Sequence, residues 1–324
     1  MIKHAILLIC LGFTLSTCSV IQDKKVLKCG HGLDRSHSVH LGMLYMAEQL
    51  EKKSGGKMSM EVYPSEQLGS ERQCLELLQI GSLAMTKVSA AVLENFVPKI
   101  RALSIPYLFR DEAHIKKIQD GPIGREILES CEPFRFRGLT FMDSGKRSFY
   151  TKKPVRTPDD LAGLKIRVQE SATAMSMVRN LGGSPTPLAF GELYTALQQG
   201  VVDGAENNAP SFYLTRHYEV CKYYTLDEHT AIPDMLLIST TVWNSLSSEE
   251  QQWVQEAADE AKVRQRELWK QSDQESLDAV KAAGVEIIIP DKKPFQEKVA
   301  PMVEALRDQP EVYNLVKKIQ ATES

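Results

Sequence analysis

Short apolar segments alternate with longer amphipathic segments along the first third of the chain. Residues 26–30 and 58–63 have the length and apolar content of strands, and 83–88 follows the same pattern. Residues 40–52 and 71–80 repeat apolar side chains at a helical period, and glycines follow shortly after each of them. This alternation of strand and helix predicts α/β lobes with mainly parallel sheets.

The last third of the chain has a different pattern. Ser247 and Glu250 have the spacing of a capping box, and apolar side chains then recur at a helical period over 254–268 within a charged segment. Because no breaker occurs before Gly284, the pattern predicts one helix of about 35 residues, roughly three times the average length.

Composition narrows the class of protein. The chain has 324 residues, which exceeds the length that a single hydrophobic core usually supports, so two lobes are expected. Of these residues 43% are apolar, which suffices to fill both cores. The formal net charge of -3 provides no basic surface for nucleic acid. No internal segment approaches the roughly 20 apolar residues that a membrane-spanning helix needs.

The longest apolar run lies at the N-terminus. Residues 5–15 have the length of the apolar region of a signal peptide. The run ends in LSTC at 15–18, which resembles the lipobox of bacterial lipoproteins, although Thr17 departs from the usual glycine, alanine or serine. We therefore expect residues 1–22 to form a signal peptide and lipoprotein tether, Cys18 to carry lipid, and the protein to lie in the periplasm or at the cell-envelope surface. Plain secretion with cleavage nearby is the alternative.

The cysteines indicate no metal site. Cys10 leaves with the signal peptide, and Cys29, Cys74, Cys131 and Cys221 are too widely spaced for a zinc site of the usual kind. Export permits disulfides, and four cysteines allow three pairings between which the sequence does not choose. Buried free thiols are the expected state.

Arg167 lies in a segment that alternates apolar and charged residues, 165–168, which predicts a short strand. Thr157 before it is a good N-cap for a short helix that turns the chain into this strand. A guanidinium at a strand end can offer two parallel N–H groups to a carboxylate, whereas a lysine offers a point charge. The alternative is a surface arginine paired with Glu170 or Asp160.

Arg147 and Asn207 have a similar setting. Gly145 permits a turn, and the alternating residues after it predict a strand with Arg147 at its edge. Because Lys146 is next to it, the alternative is that both cations are solvated. Asn207 can donate and accept hydrogen bonds through its amide, but it and Asn208 could equally cap a loop.

Four segments carry a resemblance to a known family. In this order and spacing they resemble the substrate-binding proteins of TRAP transporters, of the dicarboxylate-binding DctP type. The resemblance implies a two-lobed periplasmic-binding-protein-like fold in which a long helix spans the hinge. It also implies capture of a small organic acid for an ion-driven membrane permease, with no catalysis, no cofactor and no metal. The segments are LAGLKIRV at 161–168, GSPTP at 183–187, ELYTAL at 192–197 and VDGAEN at 202–207.

The resemblance also implies a division into lobes and a set of ligand contacts. The first lobe comprises 26–144 plus 233–270, and the second comprises 145–232 plus 271–324. The family pattern brings three polar side chains to the carboxylate of the ligand and packs an aromatic side chain against it. At the matching positions of this chain these residues are Arg147, Arg167, Asn207 and Phe190, the last of which could instead be a core phenylalanine.

Polar residues elsewhere are expected to set the choice of acid. His31 and Asp34 follow the first strand, and Lys87 and Ser89 lie at or beyond another, where loops face the cleft of such folds. The combination of the segments DSGKRSFY, TKVS and LDEH resembles the subgroup that binds hexuronates such as D-glucuronate and D-galacturonate. Other hydroxy acids, sialic acid and C4 dicarboxylates are the alternatives. The three segments lie at 143–150, 86–89 and 226–229.

An enzyme is the remaining alternative, because several histidines and aspartates could serve acid/base or metal chemistry. Their spacing is irregular, and the chain has no HExxH, GxSxG or phosphate-binding glycine loop. The binding lobe of a sensor would need a partner domain, and none is expected after Ser324. The residues that suggest chemistry are His31, His37, His40, His229, Asp34, Asp227 and Asp234.

Overall fold

The computed structural model describes residues 24–323, which form two β-sheets with helices packed on their faces. The strands are β1 (Lys25–Gly30), β2 (Met58–Tyr63), β3 (Met85–Ser89), β4 (Phe136–Met142), β5 (Arg147–Thr151), β6 (Lys165–Val168), β7 (Ser184–Pro187), β8 (Gly204–Asn207), β9 (Tyr223–Thr230), β10 (Asp234–Ser239) and β11 (Glu286–Ile288). The helices are α1 (Ser38–Lys53), α2 (Glu71–Gln79), α3 (Ala90–Leu93), α4 (Glu112–Asp120), α5 (Pro122–Glu129), α6 (Ala172–Asn180), α7 (Leu193–Gln198), α8 (Ala209–Leu214), α9 (Thr240–Ser245), α10 (Ser248–Ala282), α11 (Lys293–Val299), α12 (Pro301–Glu304) and α13 (Pro310–Ala321).

The first lobe is built on the sheet with strand order β2-β1-β3-β10-β4. β1 runs parallel to β2 and β3, whereas β10 is antiparallel to both of its neighbours. Leu27 and Cys29 of β1 pack against Met43 and Met46 of α1 in one of its cores. The apolar alternation that predicted β1 and α1 therefore corresponds to the buried faces of both elements.

The second lobe is built on the sheet with strand order β11-β9-β5-β8-β6-β7. β6 is parallel to β7 and β8, whereas β5 is antiparallel to β8 and β9. Ile166 and Val168 are buried under α6, as the alternation predicts. The predicted short helix before β6 is a single 3-10 turn, Pro158–Leu161, capped by Thr157.

The helix α10 connects the two lobes. It has 35 residues, and the predicted capping box is present, since Ser247 and Glu250 exchange side-chain and backbone hydrogen bonds. Ala257 packs in a core of the first lobe, and Val280 packs in a core of the second. The predicted fold class, a two-lobed α/β fold with a long helix across the hinge, is confirmed.

The chain crosses between the lobes beside this helix. Residues 143–146 join β4 to β5, and 231–233 join β9 to β10. Gln265 of α10 accepts from the backbone N–H of Asp143 at 2.9 Å and donates to its carbonyl at 2.8 Å. Gly145 adopts φ +60°, and a Cβ atom there would lie 2.5 Å from Cζ2 of Trp269. The first crossing is thus held against α10 at two points.

The C-terminal segment contacts both lobes. Phe295 of α11 packs in a core of the second lobe, whereas Val312 and Leu315 of α13 pack with Ile100 in a core of the first. The predicted division placed all of 271–324 with the second lobe. The segment returns to the first lobe because α13 carries an apolar face at helical spacing that is buried there.

Cys29, Cys74, Cys131 and Cys221 are free and buried, as expected. Between residues 24 and 323, no helix is both long and apolar enough to cross a membrane. The predicted signal peptide and lipid-bearing Cys18 lie outside the described residues.

Candidate ligand-binding site

A cavity lies between the two lobes and is lined by residues of both. Its wall comprises the carboxyl ends of β3, β6 and β8, the first residues of the antiparallel β5 and β10, and the loops after β1 and β2. All of these meet at one edge of each sheet, where open α/β sheets bind ligands. Six of the predicted site residues line it: Arg147, Arg167, Asn207, Phe190, Lys87 and Ser89.

Arg167 is 2% exposed and has no carboxylate partner within salt-bridge distance among the described residues. Its Nε and Nη2 both donate to the carbonyl oxygen of Leu188, at 3.0 and 2.7 Å, while Nη1 is buried without a partner. Burial lowers the pKa of this guanidinium. A buried cation whose donor is unused is an unsatisfied charge that an anionic ligand would stabilise.

Phe190 lies beside this cation, with the guanidinium carbon of Arg167 5.7 Å from the centre of its ring. The ring also meets His217 edge-on, with centroids 5.8 Å apart. Phe190 is partly buried and packs against cores of both lobes. Phe190 was considered as either a ligand-contacting aromatic or a core residue. Its position suits both, because one side contacts apolar residues and another lines the cavity.

Arg147, 4% exposed, differs from Arg167 in having its charge compensated. Its Nε and Nη2 donate to the two carboxylate oxygens of Glu206 at 2.5 and 2.9 Å. Its Nη1 donates to the side-chain oxygen of Asn207 at 2.9 Å, and that oxygen also accepts from the backbone N–H of Asn208. These bonds orient Asn207 so that its NH2 group is the part of the amide left for a ligand.

A buried chain of titratable groups extends from this ion pair. His229 lies between two carboxylates, with Nδ1 2.8 Å from Asp227 and Nε2 3.4 Å from Glu206. Burial alone would lower the pKa of His229, but the two carboxylates raise it to about 9. Burial alone would raise the pKa of Glu206, but Arg147 and His229 lower it to about 2. His229 is therefore a cation that supports the Arg147–Glu206 pair from behind.

Lys87, 2% exposed, lies between two acidic groups, Glu71 at 2.9 Å and Asp234 at 3.1 Å. Glu71 also accepts from the backbone N–H of Ser89 through both of its oxygens. Burial alone would lower the pKa of Lys87, but these two carboxylates raise it. This part of the wall therefore presents a lysine already paired with two acids.

The other two predicted residues do not reach the cavity. Nδ1 of His31 accepts from the backbone N–H of Leu33 at 3.1 Å, and its Nε2 lies 2.9 Å from Nδ1 of His40. Both ring nitrogens of His31 are thus engaged within the first lobe. A side-chain oxygen of Asp34 accepts from the backbone and hydroxyl groups of Ser36. The histidine of this loop that lines the cavity is His37.

Side chains also join the two lobes around the cavity. Oε1 of Glu94 in the first lobe accepts from the hydroxyl of Ser171 at 2.7 Å and from the backbone N–H of Thr173 at 3.0 Å, at the start of α6. Ser89 donates to Oε1 of Gln169 at 3.3 Å. These bonds cross the cleft, so the described conformation is closed.

Several lining residues were not predicted as ligand contacts, although some had visible signals. Glu71 was included only as the start of a predicted helix, and Asp234 only among the residues that could serve acid/base or metal chemistry. Glu71 begins the helix that follows β2, and the segments after the carboxyl ends of strands face the cleft in such folds, so its position could have identified it. The cavity lining that sequence reasoning missed includes Glu66, Glu71, Gln169 and Asp234.

Residues 29–309 match the model of a protein family described as bacterial extracellular solute-binding protein, family 7. A protein of Salmonella typhimurium, named uncharacterized protein YiiZ, is 39% identical over 315 residues, which are 96% of each chain.

Two solved structures share the fold. A TRAP periplasmic solute-binding protein from Bradyrhizobium, in complex with D-galacturonate, has a TM-score of 0.90 and 41% identity, covering 92% of this chain and 100% of the other. One from Pseudomonas putida F1, with bound D-glucuronate, has a TM-score of 0.89 and 38% identity, covering 92% and 98% of the two chains.

Proposed function

Because the chain belongs to family 7 of the bacterial extracellular solute-binding proteins, the substrate-binding proteins of TRAP transporters, we propose that its cleft captures a hexuronate, D-glucuronate or D-galacturonate, for uptake. The structures from Bradyrhizobium and Pseudomonas putida, each solved with one of these acids, support the choice. The rest of the support comes from the charges that line the cavity.

The observation that carries the proposal is the unpaired guanidinium of Arg167. A buried arginine without a counterion is costly unless a ligand supplies the negative charge. Its free Nη1 donor and the NH2 group of Asn207 are the donors that a carboxylate would accept from. One carboxylate of the ligand therefore belongs at this end of the cavity.

The opposite wall favours hydroxyl groups over a second carboxylate. Glu66, Glu71 and Asp234 line it, and the cation among its described residues, Lys87, is already paired with two of them. A hydroxyl can donate to a carboxylate, whereas the second carboxylate of succinate would face like charges. A sugar acid carries its hydroxyls away from its single carboxylate, which fits this division of charge.

A ligand screen tests the proposal. The purified protein is heated with D-glucuronate, D-galacturonate, aldonates, sialic acid, succinate and malate, and binding is then quantified by calorimetry. Ligand at a hundred times its Kd adds about 2.7 kcal/mol to the stability of the folded state, which gives a clear rise in melting temperature. The hexuronates should give the largest rise. A protein that prefers succinate or sialic acid would contradict the hexuronate assignment and leave the family unchanged.

We expect the protein to release its ligand chemically unchanged. Its family and its structural neighbours are binding proteins, and within residues 24–323 no group of histidine, cysteine and acidic side chains is arranged to hold a metal ion. Incubation with the hexuronate for a day, followed by chromatography of the sugar, tests this expectation. A new product in proportion to the protein would contradict it.

Two further parts of the proposal concern partners and location. The ligand-loaded protein delivers its acid to TRAP membrane permease subunits, so uptake by the matching permease in proteoliposomes should require it. Export depends on residues 1–22, and a lipid on Cys18 anchors the protein to the membrane. Cys18→Ala should then move it from the membrane fraction to the soluble envelope fraction. A parent protein that osmotic shock releases completely would contradict the lipid anchor.

A further inference from the structure

His37 has a buried ring nitrogen without a partner. The side chain lines the cavity and is 2% exposed, and Nε2 makes no hydrogen bond with any of the described residues. A buried polar atom left in this state costs roughly 1–3 kcal/mol. In the same cavity, the wall from the second lobe contains one other such atom, Nη1 of Arg167.

The backbone of α1 determines which nitrogen carries the proton. His37 is the N-cap of this helix, and its Nδ1 accepts from the backbone N–H of Val39 at 3.2 Å. A nitrogen that accepts a hydrogen bond carries no proton, so the neutral ring must be protonated at Nε2. Burial, aided by the charge of Lys87, lowers the pKa of His37 to about 3, so the ring is neutral near pH 7. The unused Nε2 is therefore an N–H donor.

We propose that His37 is a specificity-determining residue whose Nε2–H donates to a hydroxyl or ring oxygen of the bound sugar acid. The inference rests on the proposed function and adds a contact from the first lobe to it. The carboxylate of the ligand lies at Arg167, which is charged, while the neutral imidazole suits a neutral oxygen. The ligand thereby satisfies one unused donor from each lobe, and this links its binding to closure.

The role of the helix cap can be separated from that of the ligand donor with two substitutions. His37→Asn places a side-chain oxygen where Nδ1 lies, and asparagine is a favoured N-cap, so α1 keeps its cap while the donor at the ε position is lost. His37→Gln can restore an N–H donor at the ε position but is a poorer cap. We therefore expect His37→Asn to be the more stable variant without ligand and His37→Gln to bind the hexuronate more tightly.

Calorimetry with D-glucuronate and D-galacturonate, together with thermal unfolding of the free protein, gives the test. His37→Asn should unfold close to the parent temperature and bind the better of the two acids at least about tenfold more weakly. His37→Gln should bind more tightly than His37→Asn despite a lower unfolding temperature. If His37→Asn binds within twofold of the parent, the inference is overturned while the hexuronate assignment stands. A parent protein that binds neither acid overturns the assignment and the inference with it.

The tautomer is checked independently in ¹⁵N-labelled protein. The ring spectrum of His37 should show a protonated Nε2 and an unprotonated Nδ1 in the free protein. A proton on Nδ1 would leave Nε2 as an acceptor, and this result would overturn the inference whatever the affinities are.

Discussion

Arg147 and Arg167 line the same cavity, but of the two only Arg147 has a carboxylate partner among residues 24–323. Its guanidinium is held by both oxygens of Glu206, whereas Arg167 donates only to the backbone carbonyl of Leu188. Both arginines are buried, so the difference between them is one of charge compensation. The charge of the first arginine is thus compensated within the fold, whereas that of the second is available for the anion that we propose binds here.

Replacing Arg167 should affect binding far more than folding. In Arg167→Met the lost bonds to Leu188 are offset by removal of an unpaired buried charge, so the free energy of unfolding should change by no more than about 1 kcal/mol. Affinity for the acid should fall by about 3–5 kcal/mol, or two to four decades in Kd. Arg167→Lys should also bind poorly because the fork geometry is lost. Calorimetry and urea unfolding measure both effects, and an affinity within about threefold of the parent would remove Arg167 from the site.

Replacing Arg147 should affect folding more than the replacement of Arg167 does. Arg147→Met leaves Glu206 buried without its main partner, which should lower the free energy of unfolding of the ligand-free protein by about 3–5 kcal/mol. Lys146→Ala is the matched control, since its ion pair with Glu228 is partly exposed to solvent and should contribute less than about 1 kcal/mol. Urea unfolding of both variants makes the comparison. Equal losses in the two would contradict the assigned role of the Arg147–Glu206 pair.

Glu94 should influence affinity without touching the ligand. It is absent from the cavity wall but accepts two hydrogen bonds from the start of α6 across the cleft. Glu94→Ala removes these bonds from the closed state only, so the acid should bind about tenfold more weakly, chiefly through faster dissociation. Stopped-flow kinetics measure this directly. Unchanged dissociation would show that Glu94 does not hold the lobes closed.

The free energy of unfolding should be greatest near pH 6.5, because one histidine lowers it as the pH rises and two others lower it as the pH falls. The pKa of His229 is about 9 when folded, above its unfolded value, so its contribution is complete below pH 6.5 and is lost as the pH rises through 9. The pKa values of His37 and His217 are about 3 when folded, so the unfolded chain binds more protons and stability falls as the pH drops below 6.5. Urea unfolding between pH 5 and 9.5 measures both limbs. In His229→Gln the free energy of unfolding should fall less between pH 6.5 and 9.5 and should keep its dependence on pH below 6.5. If the curves of parent and variant are parallel above pH 6.5, His229 does not cause the alkaline loss.

Gly145 should tolerate alanine less well than another glycine in the same backbone region. A Cβ atom at Gly145 would lie 2.5 Å from Trp269, whereas Gly163, at φ +76°, has no neighbour within 4 Å. Both substitutions incur backbone strain of about 1 kcal/mol or more, but only Gly145→Ala adds a steric clash at the hinge. The melting temperature of Gly145→Ala should therefore be clearly the lower of the two. Similar temperatures would show that Trp269 moves aside at little cost.

The sequence by itself determined the elements whose signals are local. The strand around Arg167 followed from alternation within a few residues, and α10 followed from a capping box and a sustained helical period. Short-range patterns of this kind express the burial of one face, which each segment carries in its own residues. The length of the chain predicted two lobes, and their division around a hinge-spanning helix followed from the family resemblance.

Only the tertiary structure decided which polar groups are paired and which are left for a ligand. Lys87 bonds to Glu71 and Asp234, and Glu94 reaches Ser171, across separations that no local pattern encodes. His31 and His37 lie in one loop and the sequence does not distinguish them. Nε2 of His31 contacts His40, whereas His37 uses Nδ1 to cap α1 and its Nε2 has no partner among the described residues. Side-chain pairing depends on packing between distant segments, so it is fixed only when the lobes form and close.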